Sequence, residues 1–192
     1  MSAAKQATIL FVPGLRDHVE DHWQTHLARE IAGSRTVPPL TEDRLSLRAR
    51  VAALDAALHD IAGDVILVAH SAGVLMVAHW AQSPTRTIRA ALLATPADVE
   101  KPLPEGYPTF AELAANGWLP IPRRPLPFPS LVVASRNDPL ARFDRVYALA
   151  GSWRADLVDA GNVGHLNPAA GFGRWPDAHE HVENLRRKTA DG

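Results

Sequence analysis

Three side chains in this 192-residue chain have the types and the order that nucleophilic catalysis needs: Ser71, Asp138 and His165. A serine hydroxyl is a weak nucleophile near neutral pH. It needs a base that removes its proton, and the base needs a carboxylate that orients it. Histidine and aspartate are suited to those two roles. The sequence therefore predicts acyl transfer through a covalent intermediate on Ser71, with His165 as the base and Asp138 as its partner.

The segment around Ser71 supports this prediction most directly. The apolar run Val65–Ala69 leads into a turn with the sequence Ala-His-Ser-Ala-Gly at residues 69–73, and a helix-compatible segment, Val74–Gln82, follows. Small residues two positions before and after the serine let strand and helix approach closely, as in the nucleophile elbow of α/β-hydrolases. The usual pattern has glycine where Ala69 stands. The plain alternative is that Ser71 only caps the following helix.

Asp138 and His165 each follow a predicted strand, Ser130–Ala134 and Ala155–Val158 respectively. Open α/β sheets hold their sites at the carboxyl ends of the strands, so we expect the three side chains to meet at that edge. Asp159 is a rival acid, but the chain order serine, acid, histidine favours Asp138. Two plain alternatives stay open: the acid is only a turn residue or a helix cap, and the histidine is only a loop residue.

The oxyanion that forms on attack needs two backbone donors. One is expected to be the N–H of Ala72, the residue after the nucleophile. The other is expected in the loop after the first strand, where Gly14 lets the backbone turn sharply. Leu15 is the favoured second donor and Arg16 is the next candidate, and the sequence does not separate them.

Short apolar runs alternate with helix-like segments along the chain. This alternation predicts an α/β fold with a doubly wound sheet of about six mostly parallel strands. No repeat or second domain is visible, so residues 1–192 are predicted to form one domain. The predicted strands are Thr8–Val12, Arg35–Val37, Val65–Ala69, Ile88–Ala94, Ser130–Ala134 and Ala155–Val158. The predicted helices are His22–Ala32, Leu47–Ile61, Val74–Gln82, Leu140–Ala150 and Trp175–Arg187, with a short one at Thr109–Ala115.

Residues 96–129 break this rhythm, because they hold nine of the 16 prolines. Proline at this density excludes a long helix or a central strand. Two interpretations stay open: a compact lid-like cover over the site, or a stiff surface connection. In the first, Phe110 and Trp118 contact the substrate. Trp23 and Trp175 are further candidates for the pocket wall, although large aromatic side chains are more often core residues.

Six segments between residues 11 and 176 carry a family resemblance. They are Phe11-Val12-Pro13-Gly14, His22-Trp23-Gln24, His70-Ser71-Ala72-Gly73, Ser135-Arg136-Asn137-Asp138-Pro139, Gly164-His165-Leu166-Asn167, and Gly171 and Gly173 with Trp175-Pro176. The chain resembles the retinoblastoma-binding protein 9 / YdeN-like family of small serine hydrolases. The resemblance implies a minimal α/β-hydrolase that lacks the first antiparallel strands and a large cap, with Ser71, Asp138 and His165 as its catalytic triad. One departure is the turn at residues 15–18, which is Leu-Arg-Asp-His where family members often have glycine and serine.

Composition excludes several other classes. The chain has no cysteine, which excludes disulfides, thiolate zinc sites and cysteine nucleophiles. It also excludes the Leu-x-Cys-x-Glu motif behind the retinoblastoma interaction of the family's namesake. The net charge of −1 gives no reason to expect nucleic acid or an anionic membrane as a partner. The start lacks the long apolar core of a secretory signal, which predicts a cytoplasmic protein.

His18, His22 and His26 recur at four-residue spacing. Two histidines at this spacing on a helix can bind zinc. No glutamate base lies between them and the segment begins in a loop, so we expect a solvated helix face and no metal. No organic cofactor is expected either, because the predicted chemistry needs none.

The predicted function is a serine hydrolase that cleaves small carboxylic esters or activated amides through an acyl-enzyme. Aminopeptidase-like amide hydrolysis would use the same residues and differ only in the pocket. The alternative from another class is a protein-interaction module on a hydrolase scaffold, since a fold does not fix a function. The ordered set of three catalytic residue types argues against that module. The expected partner is a small-molecule substrate, and no protein partner is predicted.

Overall fold

The sheet that organises the molecule has six parallel strands. The structure is a computed structural model that describes residues 6–190. The strands are β1 (Thr8–Val12), β2 (Arg35–Thr36), β3 (Val65–His70), β4 (Ala90–Ala94), β5 (Ser130–Ala134) and β6 (Asp156–Asp159). They pair in the order β2-β1-β3-β4-β5-β6, and every pair is parallel. The predicted α/β class and all six predicted strands are confirmed.

Helices cover both faces of this sheet. Within the described residues they are α1 (Trp23–Glu30), α2 (Leu47–His59), α3 (Ala72–Trp80), α4 (Phe110–Ala115), α5 (Phe143–Trp153) and α6 (Pro176–Ala190). Residues of α2, α3 and α5 pack in one buried apolar cluster, and residues of α1 and α6 pack in a second. Strand β1 separates the two, because Leu10 and Val12 lie in the first cluster while Ile9 and Phe11 lie in the second. This is the period-two alternation of a strand covered on both faces.

Helix α5 begins later than the sequence predicts. The predicted start at Leu140 is wrong because Oδ1 of Asp138 accepts the backbone N–H of Leu140 at 2.8 Å, which holds the chain in a turn. Arg142 is still extended, with φ of −69° and ψ of 142°, and the helix starts only at Phe143. The functional loop after β5 is therefore longer than expected.

The proline-rich stretch at residues 96–129 is packed against the rest of the molecule. It contains α4, whose first turn carries a capping box between Thr109 and Glu112. Trp118 is fully buried, and its indole N–H donates to the carbonyl oxygen of Leu45 at 2.7 Å. The stretch is thus part of the main core, and the residues described include no large cap domain.

An ion-pair cluster fastens the start of this stretch to α5. Arg145 donates to Asp98 at 2.8 Å and to Glu100 at 2.9 Å, and Arg123 also binds Glu100. Hydrogen bonding to Arg123 lowers the pKa of Glu100 well below its usual range, so this carboxylate stays charged near neutral pH. No helix within residues 6–190 combines the length and the apolar character needed to cross a bilayer.

Candidate active site

The turn between β3 and α3 holds Ser71 in a backbone conformation that few residues adopt. Its φ is 57° and its ψ is −125°. Such a conformation costs on the order of 1–3 kcal/mol outside glycine and persists only where packing enforces it. Gly73 shows that packing: a Cβ atom there would lie 2.2 Å from the carbonyl oxygen of Val12. Strand and helix approach so closely that only glycine fits, and the turn lifts Ser71 to the carboxyl edge of the sheet.

Ser71, His165 and Asp138 form a hydrogen-bonded row at this edge. Nε2 of His165 lies 2.8 Å from Oγ of Ser71, and Nδ1 lies 2.8 and 3.0 Å from the two Asp138 carboxylate oxygens. The histidine and aspartate side chains are only 4% and 2% exposed. Because the carboxylate only accepts, Nδ1 must carry the proton and Nε2 is left to accept from the serine hydroxyl.

The loops after β5 and β6 are tied to each other. Asn137 supplies the link, because its side-chain oxygen accepts the backbone N–H of Gly164 at 2.7 Å and the hydroxyl of Ser135 at 3.0 Å. The neighbouring backbone N–H of Arg136 donates to the carbonyl oxygen of Gly161 at 2.7 Å. The aspartate and histidine loops are therefore held in fixed register behind Ser71.

Asp159, the rival acid, lies outside this row. It forms an exposed ion pair with Arg136, whose Nε donates to it at 2.8 Å. It also accepts the backbone N–H of Gly161. The structure thus brings Asp138 to the histidine and leaves Asp159 on the surface.

Two further histidines lie behind His165. The ring of His70 is 4.9 Å from that of His165 and 4.6 Å from that of His22, measured between centroids. Nε2 of His70 lies 2.8 Å from the carbonyl oxygen of His165, so its N–H donates there, and the Thr95 hydroxyl donates to the same oxygen at 3.3 Å. This pair of donors fixes the backbone that carries the His165 ring.

Burial keeps both rear histidines neutral. Desolvation lowers the pKa of His22 to about 4 and the pKa of His70 well below its usual range, and the nearby His165 adds to both shifts. The prediction that His22 lies on a solvated helix face is wrong. It caps α1 by accepting the N–H of Gln24 at 3.2 Å, and only 8% of it is exposed.

The loop after β1 faces Ser71 from the other side. A Cβ atom built on Gly14 would lie 3.3 Å from the Cβ of Ser71, and both Leu15 and Arg16 line the same cavity. Ala72 is the first residue of α3, where backbone N–H groups have no acceptor inside the helix. The three residues predicted to supply oxyanion donors are thus grouped around the serine.

A buried arginine anchors this loop. Arg50 on α2 is 3% exposed and donates to Asp17 at 2.9 Å, to the carbonyl oxygen of Leu15 at 3.1 Å and to the carbonyl oxygen of Arg44 at 2.6 Å. Arg50 therefore holds the turn at residues 15–18, which differs from the family's glycine- and serine-rich turn, in one conformation. A polar residue between Leu47 and Leu54 on an apolar helix face was the sequence signal for this role.

A cavity of about 580 Å³ opens beside Ser71, a size suited to a small-molecule ligand. The loop after β1 and the start of α1 form one wall. The beginning of the proline-rich stretch forms another wall of the cavity. The residues that it contributes to the lining are Ala97, Val99, Leu103, Gly106, Tyr107 and Pro108.

The prediction that four aromatic residues line this pocket is wrong. The cavity lining includes none of Trp23, Phe110, Trp118 and Trp175. Trp118 is core, as its buried indole shows. Trp23 and Trp175 pack edge to face with centroids 4.9 Å apart, and both are at least 94% buried among residues of α1 and α6. Phe110 is 45% exposed on α4. Tyr107, which sequence reasoning missed, is the aromatic residue that the stretch presents to the cavity.

The described residues contain no group of three or more histidine, aspartate or glutamate side chains placed to hold a metal ion. His18 and His26 instead pair separately with acidic neighbours, at 3.2 Å to Glu20 and 2.8 Å to Asp21.

Comparison with known proteins identifies the family and agrees with the fold. A sequence model of the serine hydrolase family matches residues 9–184. A structure described as a YdeN-like hydrolase from Pectobacterium atrosepticum is 32% identical, with a TM-score of 0.81 over 96% of this chain and 92% of that one. A search among curated proteins finds no match.

More distant structures share the fold. The ydeN gene product of B. subtilis is 16% identical, with a TM-score of 0.69 over 93% of this chain and 98% of its own. Esterase 2 of Thermogutta terrifontis is 13% identical, with a TM-score of 0.68 over 96% and 84%. These relatives do not test the retinoblastoma-binding protein 9 part of the predicted resemblance. The fold is that of a minimal α/β-hydrolase without a large cap, and the chain belongs to the serine hydrolase family as a YdeN-like hydrolase.

Proposed function

We propose that this hydrolase cleaves small carboxylic esters through an acyl-enzyme on Ser71. The observation that carries the proposal is the continuous row from Ser71 Oγ through both ring nitrogens of His165 to Asp138, with contacts of 2.8 Å on each side of the ring. The row opens into a cavity large enough for a small ester. Nucleophile, base and orienting acid are thus aligned before any substrate arrives.

The reaction follows from these positions. Nε2 of His165 takes the hydroxyl proton as Ser71 Oγ bonds to the ester carbonyl carbon, and the negative charge moves to the carbonyl oxygen. The backbone N–H of Ala72 and one N–H from Leu15 or Arg16 stabilise that oxyanion. His165 then protonates the departing alcohol as its bond to carbon breaks. Water repeats the cycle on the acyl-enzyme and releases the carboxylic acid.

Asp138 acts throughout by orienting the ring and by stabilising the imidazolium. Its own carboxylate is held by the backbone N–H of Leu140, so it presents its oxygens to Nδ1 in one orientation. His70 and Thr95 are positioning residues, because each donates its side-chain hydrogen bond to the backbone carbonyl oxygen of His165 and not to a reacting atom. Since the pKa of His70 is lowered by burial, it does not compete as a second base near neutral pH.

The alternatives differ from this proposal in what they require. A protein-interaction module has no use for a strained serine in hydrogen-bond contact with a buried histidine and aspartate. Amide cleavage would use the same residues but must expel an amine, which is a poorer leaving group than an alcohol. The same experiment can therefore test it with amide substrates. Matched ester and amide substrates with the same acyl chain separate the two activities.

The experiment is steady-state hydrolysis of 4-nitrophenyl esters with acyl chains of increasing length, together with the matched anilides. The wild-type protein is expected to hydrolyse the esters, and Ser71→Ala is expected to lose this activity with its fold intact. The matched control is Ser83→Ala, which removes an exposed hydroxyl elsewhere. Equal ester turnover by wild type and Ser71→Ala contradicts the proposal.

A further inference from the structure

The cavity beside Ser71 has an uneven charge. Its lining contains one acidic side chain among the residues described, Asp17, against three arginines: Arg16, Arg29 and Arg35. The single acid is not available to a ligand, because it is 7% exposed and is paired with Arg50 at 2.9 Å and with Arg44 at 3.3 Å. The cavity surface therefore presents positive charge to whatever enters it.

The three arginines are not equivalent. Arg29 forms an ion pair with Glu20, so its charge is already compensated. Arg35 pairs in register with Leu10, two residues before the end of β1, and so lies further from the reacting edge. Arg16 belongs to the loop that contacts Ser71. It is two residues from Gly14, which places the two Cα atoms within about 8 Å of each other.

Arg16 is exposed, and its side chain lies over an aromatic ring. Its guanidinium carbon lies 5.5 Å from the centroid of Tyr107, across the cavity on the proline-rich wall. No ion pair joins it to a carboxylate within the described residues. An arginine whose guanidinium lies over a ring spends no N–H donor on a carboxylate there, so its donors can bind the carboxylate of a ligand in a bidentate manner.

These observations carry one inference, which rests on the proposed function. We propose that the hydrolase prefers substrates that carry a carboxylate near the scissile ester, and that Arg16 binds this anion over the Tyr107 ring. Leu103 and Pro108 supply an apolar wall for the part of the substrate between its carboxylate and its ester group. The substrate class is thus an acidic ester, such as a monoester of a short dicarboxylic acid or an ester whose alcohol part bears a carboxylate.

The test compares anionic esters with neutral esters of equal length. On the acyl side, 4-nitrophenyl monoesters of adipic and pimelic acid are compared with 4-nitrophenyl hexanoate and heptanoate. On the alcohol side, 4-carboxyphenyl butyrate is compared with 4-carbamoylphenyl butyrate. The quantity is the ratio of kcat/KM for the anionic ester to that for its neutral partner, in which effects common to both esters cancel. The arm with the larger ratio identifies which part of the substrate carries the charge.

Wild type is expected to give a ratio of at least about ten in one arm, and Arg16→Gln is expected to lower it about tenfold, mainly through KM. Arg16→Lys keeps the charge and should retain part of the preference. Added salt should reduce the wild-type ratio, since it screens an exposed ion pair. The matched control is Arg124→Gln, an exposed arginine outside the cavity lining, which should keep the wild-type ratio.

A wild-type ratio near one in both arms overturns the inference, and so does a high ratio that survives Arg16→Gln. Those results leave the proposed function standing as long as the neutral esters are hydrolysed and Ser71→Ala abolishes their turnover. If wild type hydrolyses neither member of any pair, the proposed function itself fails, and this inference fails with it.

Discussion

The two sides of the cavity are built differently. On one side, Ser71, His165 and Asp138 are fixed by a strained turn, by Asn137 and by the buried histidines behind them. On the other side, the exposed Arg16 of the loop after β1 meets the half-buried Tyr107 of the proline-rich stretch through a ring contact. We call the first the reaction side and the second the recognition side.

This difference separates two tasks. Chemistry needs atoms within a few tenths of an ångström of a productive geometry, and buried hydrogen bonds between neighbouring strand ends supply that. Recognition needs surfaces that differ among relatives, and loops at the sheet edge supply those. The exception is Arg50, a buried side chain that fixes the recognition loop where that loop also carries the proposed oxyanion donors. Substitutions on the two sides should therefore have separable effects.

The largest effect is expected on the reaction side, from Asp138→Asn. The amide favours the wrong imidazole tautomer, and kcat should fall by about 10⁴-fold with little change in KM. Asp159→Asn is the matched control, because it removes a carboxylate that contacts neither His165 nor Ser71, and it should keep most of the wild-type kcat. Ester hydrolysis by both purified variants checks this. The reverse ranking would mean that the wrong carboxylate is assigned to His165.

The next effect distinguishes core from recognition side within the proline-rich stretch. Trp118→Ala leaves a cavity in the main core and should lower the free energy of unfolding by about 3–5 kcal/mol, without changing the order of preference among acyl-chain lengths. Tyr107→Ala should change the order of preference among acyl-chain lengths and lower the free energy of unfolding much less, because Tyr107 lines the cavity. Urea unfolding and an ester series measured on both variants decide this. A changed chain-length preference in Trp118→Ala would mean that Trp118 contacts the substrate and is not only a core residue.

The anchor of the recognition loop is expected to give a smaller effect on rate. Arg50→Met frees the Leu15 carbonyl and leaves Asp17 with only its exposed partner, so kcat/KM should fall by about 10²-fold as the oxyanion donors shift. Stability should fall too, because a buried acid loses its charge partner. The double variant Arg50→Met/Asp17→Asn should regain stability while kcat/KM stays low. Recovery of both together would show that Arg50 matters only for folding.

A further effect, on stability alone, concerns acid sensitivity. In the folded protein burial lowers the pKa of His22 from 6.5 to about 4, so between these values the unfolded chain binds the proton and the folded one does not. Stability is therefore complete above pH 6.5 and falls as the pH drops towards 4, by up to about 3 kcal/mol. His22→Asn keeps an N-cap side chain and removes the titrating group. Its urea-unfolding free energy should fall less between pH 7 and pH 4.5 than that of wild type, and equal slopes would contradict this origin.

Sequence and structure agree best where the signals are local. Strand, small residues and helix occur in one continuous segment around Ser71, and the glycines around His165 mark a tight loop at a strand end. Parallel strands then bring such loops to one edge, so the topology predicts that the three side chains lie near one another. The late start of α5 departs from this pattern because a side-chain hydrogen bond at Asp138 competes with the helix.

The residues of the pocket wall could not be predicted from local sequence signals. Trp118 finds its hydrogen-bond acceptor at Leu45, 73 residues away in the chain, and nothing near it in the sequence indicates that contact. Trp23 and Trp175 meet across an even longer separation. Whether a large aromatic side chain is core or wall depends on which remote elements pack against it. His70 and Arg50 were missed for the same reason, since each acts on a loop distant in sequence.

The most direct test of the central claim is covalent labelling by a fluorophosphonate, followed by peptide mapping. Ser71 Oγ should displace fluoride and form one phosphonyl adduct per chain, on the peptide that contains the turn between β3 and α3. Ser71→Ala should show no adduct, and Asp138→Asn should label far more slowly. An unlabelled wild-type protein, or labelling that persists undiminished in Ser71→Ala, would contradict the assignment of Ser71 as the nucleophile.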